Sequence, residues 1–158
     1  MRPGRAPWWL ALAIAASCTS TPAHRPAPAA SKGTPAITST GRLDVHVTGL
    51  ASLEGRVIVS LHDEHTYLND DAFVAKATEK VTAAEMHVAL ERVPAGRYLV
   101  VVTHDQNGND TLDTNVLGLP TEAYGFSRDA RGSFGPPSFD DAAFDFDGKF
   151  GQIVVSLR

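Results

Sequence analysis

Apolar and polar residues alternate in short runs from residue 43 onward, the period of strands with one buried face. Leu43, Val45 and Val47 alternate with Asp44, His46 and Thr48, and the run stops at Gly49. Val57, Val59 and Leu61 repeat the pattern after a turn at Glu54-Gly55, and Met86, Val88 and Leu90 repeat it again. Arg97 to Thr103 is an almost unbroken β-branched and aromatic run, which predicts a central strand buried on both faces. Phe144 and Phe146 precede an Asp147-Gly148-Lys149 turn, and Ile153, Val155 and Leu157 follow it as the expected hairpin partner. Between the second and third strands, Phe73, Val74 and Ala77 stand at near-helical spacing and predict a short helix or turn within residues 67–81. The pattern as a whole predicts an all-β protein, an antiparallel β-sandwich of about six to eight short strands.

Two long connections interrupt this meander, residues 63–80 and 105–142. Connections beyond about 15 residues are usually functional or disordered. The second has Tyr124, Phe126, Phe134 and Phe139 as apolar anchors, with Gly and Pro to set its bends, so an ordered loop folded back on the sheet is expected. It opens with Asp105-Gln106-Asn107-Gly108-Asn109-Asp110-Thr111-Leu112-Asp113. Asp105, Asn107, Asn109 and Asp113 place side-chain oxygens at spacings that can converge on a hard cation, and calcium takes six to eight oxygens at about 2.3–2.6 Å. Glu122 is a further oxygen ligand if the loop doubles back, and His104 is placed to orient the loop by a hydrogen bond. A helix-loop-helix calcium hand is excluded, because its sixth position is Asp110 rather than Gly and its twelfth is Val116 rather than Glu. The competing reading is a polar turn whose Asn and Asp side chains bond to their own backbone.

The N-terminal residues change the picture of location. Arg2 and Arg5 precede an apolar stretch from Trp8 to Ala16, too short for the roughly 20 residues of a spanning helix, so residues 1–17 are expected to be a signal peptide. Cys18, the sole cysteine, follows in Ile14-Ala15-Ala16-Ser17-Cys18. This resembles the lipobox of bacterial lipoproteins, with Ala15 where Leu is usual, and implies lipidation of Cys18 and anchoring in the outer membrane. Ordinary cleavage near Ala16 or Ala23 would instead leave a soluble periplasmic protein. Residues 18–40 are rich in Thr, Ser, Pro and Ala and form a flexible tether, leaving 41–158 as one domain. That domain has all 18 acidic residues against ten Lys and Arg, a net charge of −8, which argues against nucleic acid and anionic lipid headgroups as partners.

Pro94-Ala95-Gly96-Arg97-Tyr98-Leu99-Val100 resembles the turn and strand of transthyretin/prealbumin-like and carboxypeptidase-regulatory-like sandwiches. The motifs His104 to Asn109, Leu112 to Asn115, Leu117 to Pro120, Glu122 to Ser127 and Phe134 to Phe139 are similar to those of an exported bacterial family of unknown function, numbered 2141. The resemblance spans about residues 43–158 and implies a fold and an exported location, with no activity to carry over. The family tends to have Gly where this chain has Asp110. Among transthyretin-like folds, hydroxyisourate hydrolases end in Tyr-Arg-Gly-Ser, and the tail Val155-Ser156-Leu157-Arg158 departs from that. Ser127 lacks a nucleophile elbow, and His62-Asp63-Glu64-His65 is better explained as a solvated loop than as a transition-metal site.

The expected function is thus a non-enzymatic, envelope-attached sandwich, calcium-stabilised and binding an envelope protein or glycan. The alternative is a carrier of a small apolar ligand beneath the aromatic loop 116–142. A hydrolase or other enzyme stands third. The sequence leaves the oligomeric state open.

Overall fold

The computed structural model describes residues 40–69, 71–133 and 135–158, all within the compact unit Ile37–Arg158. Cys18 and the signal and tether segments lie outside the described residues, as does Phe134. Eight strands run in chain order: β1 (Thr40–Thr48), β2 (Arg56–His62), β3 (Ala75–Lys80), β4 (Met86–Pro94), β5 (Gly96–Asp105), β6 (Tyr124–Phe126), β7 (Phe144–Phe146) and β8 (Phe150–Ser156). A 3-10 turn (Ser127–Asp129) and a one-turn helix α1 (Phe139–Ala142) lie between β6 and β7. The strands form two sheets, β4-β1-β8 and β3-β2-β5-β6, with β7 also pairing with β5. The all-β sandwich expected from the alternation is the architecture observed.

The core between the sheets follows from the same alternation. Val45, Val47, Val57, Val59, Leu61, Val88, Val100, Val102 and Val155 are wholly buried there. β5 is central, with β2 on one side and β6 and β7 on the other. It is buried on both faces, as its apolar run predicts: Val100 and Val102 point between the sheets, and Leu99 packs beneath Phe126 and Ala142 on the outer face. Truncating Val100 or Val102 to Ala is expected to cost about 1–3 kcal/mol through lost burial and a residual cavity, read as a lower urea midpoint at unchanged slope.

Two expectations are corrected. Residues 75–80 form an edge strand on β2, with no helix within 67–81 among the described residues. Ala75 and Ala77 give that strand only small inward side chains, so its apolar alternation is faint, and pairing with β2 overrides the helix propensity of its Ala, Lys and Glu residues. β7 and β8 do not form a hairpin either. The turn at Asp147-Gly148-Lys149 carries the chain from one sheet to the other, so β7 pairs with β5 while β8 runs parallel to β1 from Arg42↔Phe150 to Thr48↔Ser156. Arg42 N–H donates to the Lys149 carbonyl at 2.8 Å and fixes that crossing.

The second long connection is ordered and does fold back on the sheet. Its β6 segment pairs with β5, and Tyr124 exchanges backbone hydrogen bonds with Arg158. Ser127 pins the segment beyond: its buried hydroxyl donates to the Ala142 carbonyl at 2.7 Å and accepts from Val100 N–H at 3.0 Å.

Candidate functional site

The acidic loop leaves the end of β5, and the β2–β5 register decides its chemistry by setting Arg56 opposite Asp105. Asp105 is wholly buried. One carboxylate oxygen accepts from Gly108 N–H at 2.7 Å and Asn109 N–H at 3.1 Å. The other accepts from Asp110 N–H and from Arg56 Nε, each at 2.9 Å. A carboxylate has about four acceptor positions, and four donors fill them. Arg56 reaches further, donating to the Gly108 carbonyl and standing 3.3 Å from the Asp110 carboxylate. Asp110 itself has φ +65, a left-handed conformation that Asp tolerates better than most residues.

The other candidate ligands gather on the loop's exposed side. Asn107 and Asn109 both donate side-chain N–H groups to the Asp113 carboxylate, the second at 2.9 Å. The Asn107 and Asn109 side-chain oxygens accept from the loop's own Asn109 and Thr111 N–H groups, each at 3.0 Å. Glu122 is buried and closes the loop's base, accepting from Gln106 N–H at 2.9 Å and Asp113 N–H at 3.1 Å. His104 backs the loop from the core, donating through Nε2 to the Glu54 carbonyl at 2.8 Å, while its buried Nδ1 has no hydrogen-bond partner. The four predicted residues therefore share one loop but play two roles. Asp105 faces inward as a brace, and Asn107, Asn109 and Asp113 form an outer oxygen cluster. Among the described residues, no three His, Cys, Asp or Glu side chains converge as a metal-ligand set.

Burial pushes the Asp105 carboxyl up, but the bonds from Asp110 N–H, Arg56, Gly108 N–H and Asn109 N–H outweigh it and hold the group below the ordinary aspartate range. A depressed folded pKa contributes stability that is fully present above the unfolded value of about 3.9 and is lost as pH falls through the folded value. Melting temperature should accordingly fall as pH drops below about 4, and Asp105→Asn should flatten part of that fall, measured by melts across the acid range.

The loop is also one wall of a groove of ≈ 630 Å³, open to solvent, on the outer face of the larger sheet. Ile58, Ser60 and His62 of β2 and Val101 and Thr103 of β5 make its floor. Asp110, Thr111 and Leu112 stand on one side, and Tyr67, Leu68 and Phe73 of the other long connection stand on the opposite side. Leu68 and Phe73 are 71% and 47% exposed. Tyr67 is fixed by donating to the Pro137 carbonyl at 2.7 Å. Sequence reasoning flagged both connections but missed Arg56 and the shared groove. Once β2 and β5 are paired antiparallel, their register alone brings Arg56 to Asp105.

The remaining candidates have local roles. Asp63 closes a turn, accepting from His65 N–H at 3.0 Å and Thr66 N–H at 2.8 Å, while the His62 ring contacts Ser60 and Thr66. Ser127 is buried with its hydroxyl engaged at both ends. Near Tyr124 and Phe126 lies a pocket of ≈ 330 Å³, open to solvent and including Asp129, Arg131 and Arg158 in its lining.

The fold and these loops define an all-β sandwich whose long connections are built into one face. The chain belongs to the family described as "Uncharacterized protein conserved in bacteria (DUF2141)", whose model matches residues 45–153. No curated protein matches it. A solved pilus-presented adhesin (Cpa) is 17% identical, with a TM-score of 0.31 over 77% of this chain, and the chain spans 27% of that structure's length.

Proposed function

We propose that this protein is a non-enzymatic, envelope-attached binding module that holds an extended glycan in the groove between its two long connections. The groove is the observation that carries the reading. Its floor carries the Thr103 side chain on β5 and, on β2, the Ser60 hydroxyl held by the His62 ring at 2.9 Å, and its rims present exposed apolar side chains at Leu68 and Phe73. Fixed polar groups that orient a ligand, beside apolar surface that excludes water from it, are what a saccharide chain requires. An open face of this kind suits a long polymer better than a small buried molecule. The pocket beside Tyr124 and Phe126 is open and carries charged residues, which favours a binding module over an apolar carrier. Attachment rests on Cys18 and the tether, as read from the sequence.

The acidic loop enters this reading as a wall. Asp105 accepts from Arg56 and from three loop N–H groups, and these bonds brace the loop. Calcium at Asp105 would have to displace Arg56 and the amide hydrogens together.

The test is titration of the protein with peptidoglycan and envelope-polysaccharide fragments, followed by NMR shifts. Shifts should map to β2, β5 and the 67–73 segment, and Phe73→Ala or a groove-filling Thr103→Trp should weaken binding at least about tenfold, roughly 1.4 kcal/mol. Shifts confined to other surfaces, or binding of peptides alone, would defeat the glycan reading.

A further inference from the structure

The sheet edges are closed in different ways. β3 has Lys76, Glu79 and Lys80 along it, and β4 has Glu91, Arg92 and Pro94, with Arg92 at φ +58. Charges, Pro and backbone irregularity of this kind keep an edge from pairing with another chain. β6 is three residues long, and its Tyr124 is already bonded to Arg158 at 3.2 and 3.1 Å. β8 differs, because Phe150–Ser156 contains no charged residue and no Pro. β1 occupies one side of it. On the other side its end is covered, with Ser156 N–H donating to Asp129 at 3.3 Å and Gly125 lying against the Ser156 carbonyl. Among the described residues no strand pairs with that side of residues 150–154. Phe150 and Val154 are 66% and 53% exposed on the outer face, and the inward Ile153 is only half-buried.

We propose that this edge pairs antiparallel with β8 of a second copy of the chain, about a two-fold axis at Gln152. The strand is complementary to itself in that register. Phe150 falls opposite the partner subunit's Val154, an aromatic–β-branched pair of the kind that stabilises antiparallel ladders, and the symmetry makes this contact twice. On the inner face Gly151 falls opposite the partner subunit's Ile153, so that side chain completes its burial beside the Phe146 ring, which closes over Gly151. Charge selects the same occupant. A neutral edge offers nothing to a charged peptide, whereas two copies of it meet with no ion to desolvate. The two acidic bodies repel each other at long range, so association strengthens as salt screens them.

Sedimentation velocity of the protein from micromolar to millimolar concentration tests this. The expected result is a monomer–dimer equilibrium that moves toward dimer with concentration and with added salt. Val154→Lys should remain monomeric throughout while melting within a few degrees of wild type. In a Cys18→Ser background, Gln152→Cys should oxidise to a cross-linked dimer, since a two-fold brings the two residues to cross-strand distance, and Lys76→Cys on the β3 edge should not. Wild type that stays monomeric at millimolar concentration in high salt overturns the proposal. A Val154→Lys protein that dimerises like wild type also overturns it, by placing the contact elsewhere.

Discussion

Replacing Asp105 by Ala is expected to lower stability by about 3 kcal/mol, because the change removes a wholly buried acceptor that takes hydrogen bonds from three loop N–H groups and from Arg56. The Gly108 and Asp110 N–H groups lose their acceptor at once, Asn109 N–H keeps only the Asn107 side-chain oxygen, and Arg56 loses its closest carboxylate. In a domain of this size that corresponds to a fall of roughly 10 °C in melting temperature. Asp105→Asn should cost less, since an amide oxygen still accepts from the loop. Arg56→Ala should fall between the two, because the loop N–H groups keep their carboxylate. That ordering is read directly from thermal melts of the three variants at neutral pH. A merely solvated loop would show three small and equal effects.

Gly55→Ala is expected to be comparably damaging, at about 2–4 kcal/mol, from a position that touches no candidate ligand side chain. Gly55 has φ +72, and a Cβ there would stand 2.1 Å from the Asp105 carbonyl oxygen and 2.6 Å from the Gln106 Cα. Both obstacles are backbone, so the β2 turn and the loop base must separate for the methyl group to fit. The same turn supplies the Glu54 carbonyl that His104 holds and the Gly55 carbonyl that accepts from Val81 N–H. Hydrogen exchange should therefore show faster opening at Gln106 to Asp113 in this variant than in Val100→Ala, whose damage lies between the sheets. Equal protection of the loop in both variants would separate the turn from the loop.

The strands with large alternating side chains were legible because burial of one face dictates their period. β2, β4 and β5 lie where their β-branched and aromatic residues place them. β3 was hidden, since an edge strand with only Ala pointing inward leaves little apolar signal and its composition favours helix. The parallel β1–β8 pair was hidden for another reason: a short turn between two strands looks the same whether it folds within a sheet or crosses between sheets. In the loop, the spacing of Asp105, Asn107, Asn109 and Asp113 marked candidate calcium ligands, with Glu122 as a further oxygen; the structure places Glu122 at the loop's base, where it accepts from Gln106 N–H and Asp113 N–H. The inward turn of Asp105 was not legible, because it depends on Arg56, a residue far away in sequence that only the β2–β5 register delivers. The groove was half legible, as two unusually long connections without the knowledge that they face each other.

Melting of the protein in excess chelator and again in millimolar calcium tests the braced-loop account most directly. The account predicts a cooperative transition in chelator, unchanged within about 2 °C when calcium is added, with no saturable heat of binding by calorimetry. A specific site filled at about 100 times its dissociation constant would instead add about 2.7 kcal/mol and raise the transition by roughly 10 °C. A calcium-dependent rise of that size, abolished in Asp105→Ala and Asp113→Ala, would contradict the account and return the loop to a cation.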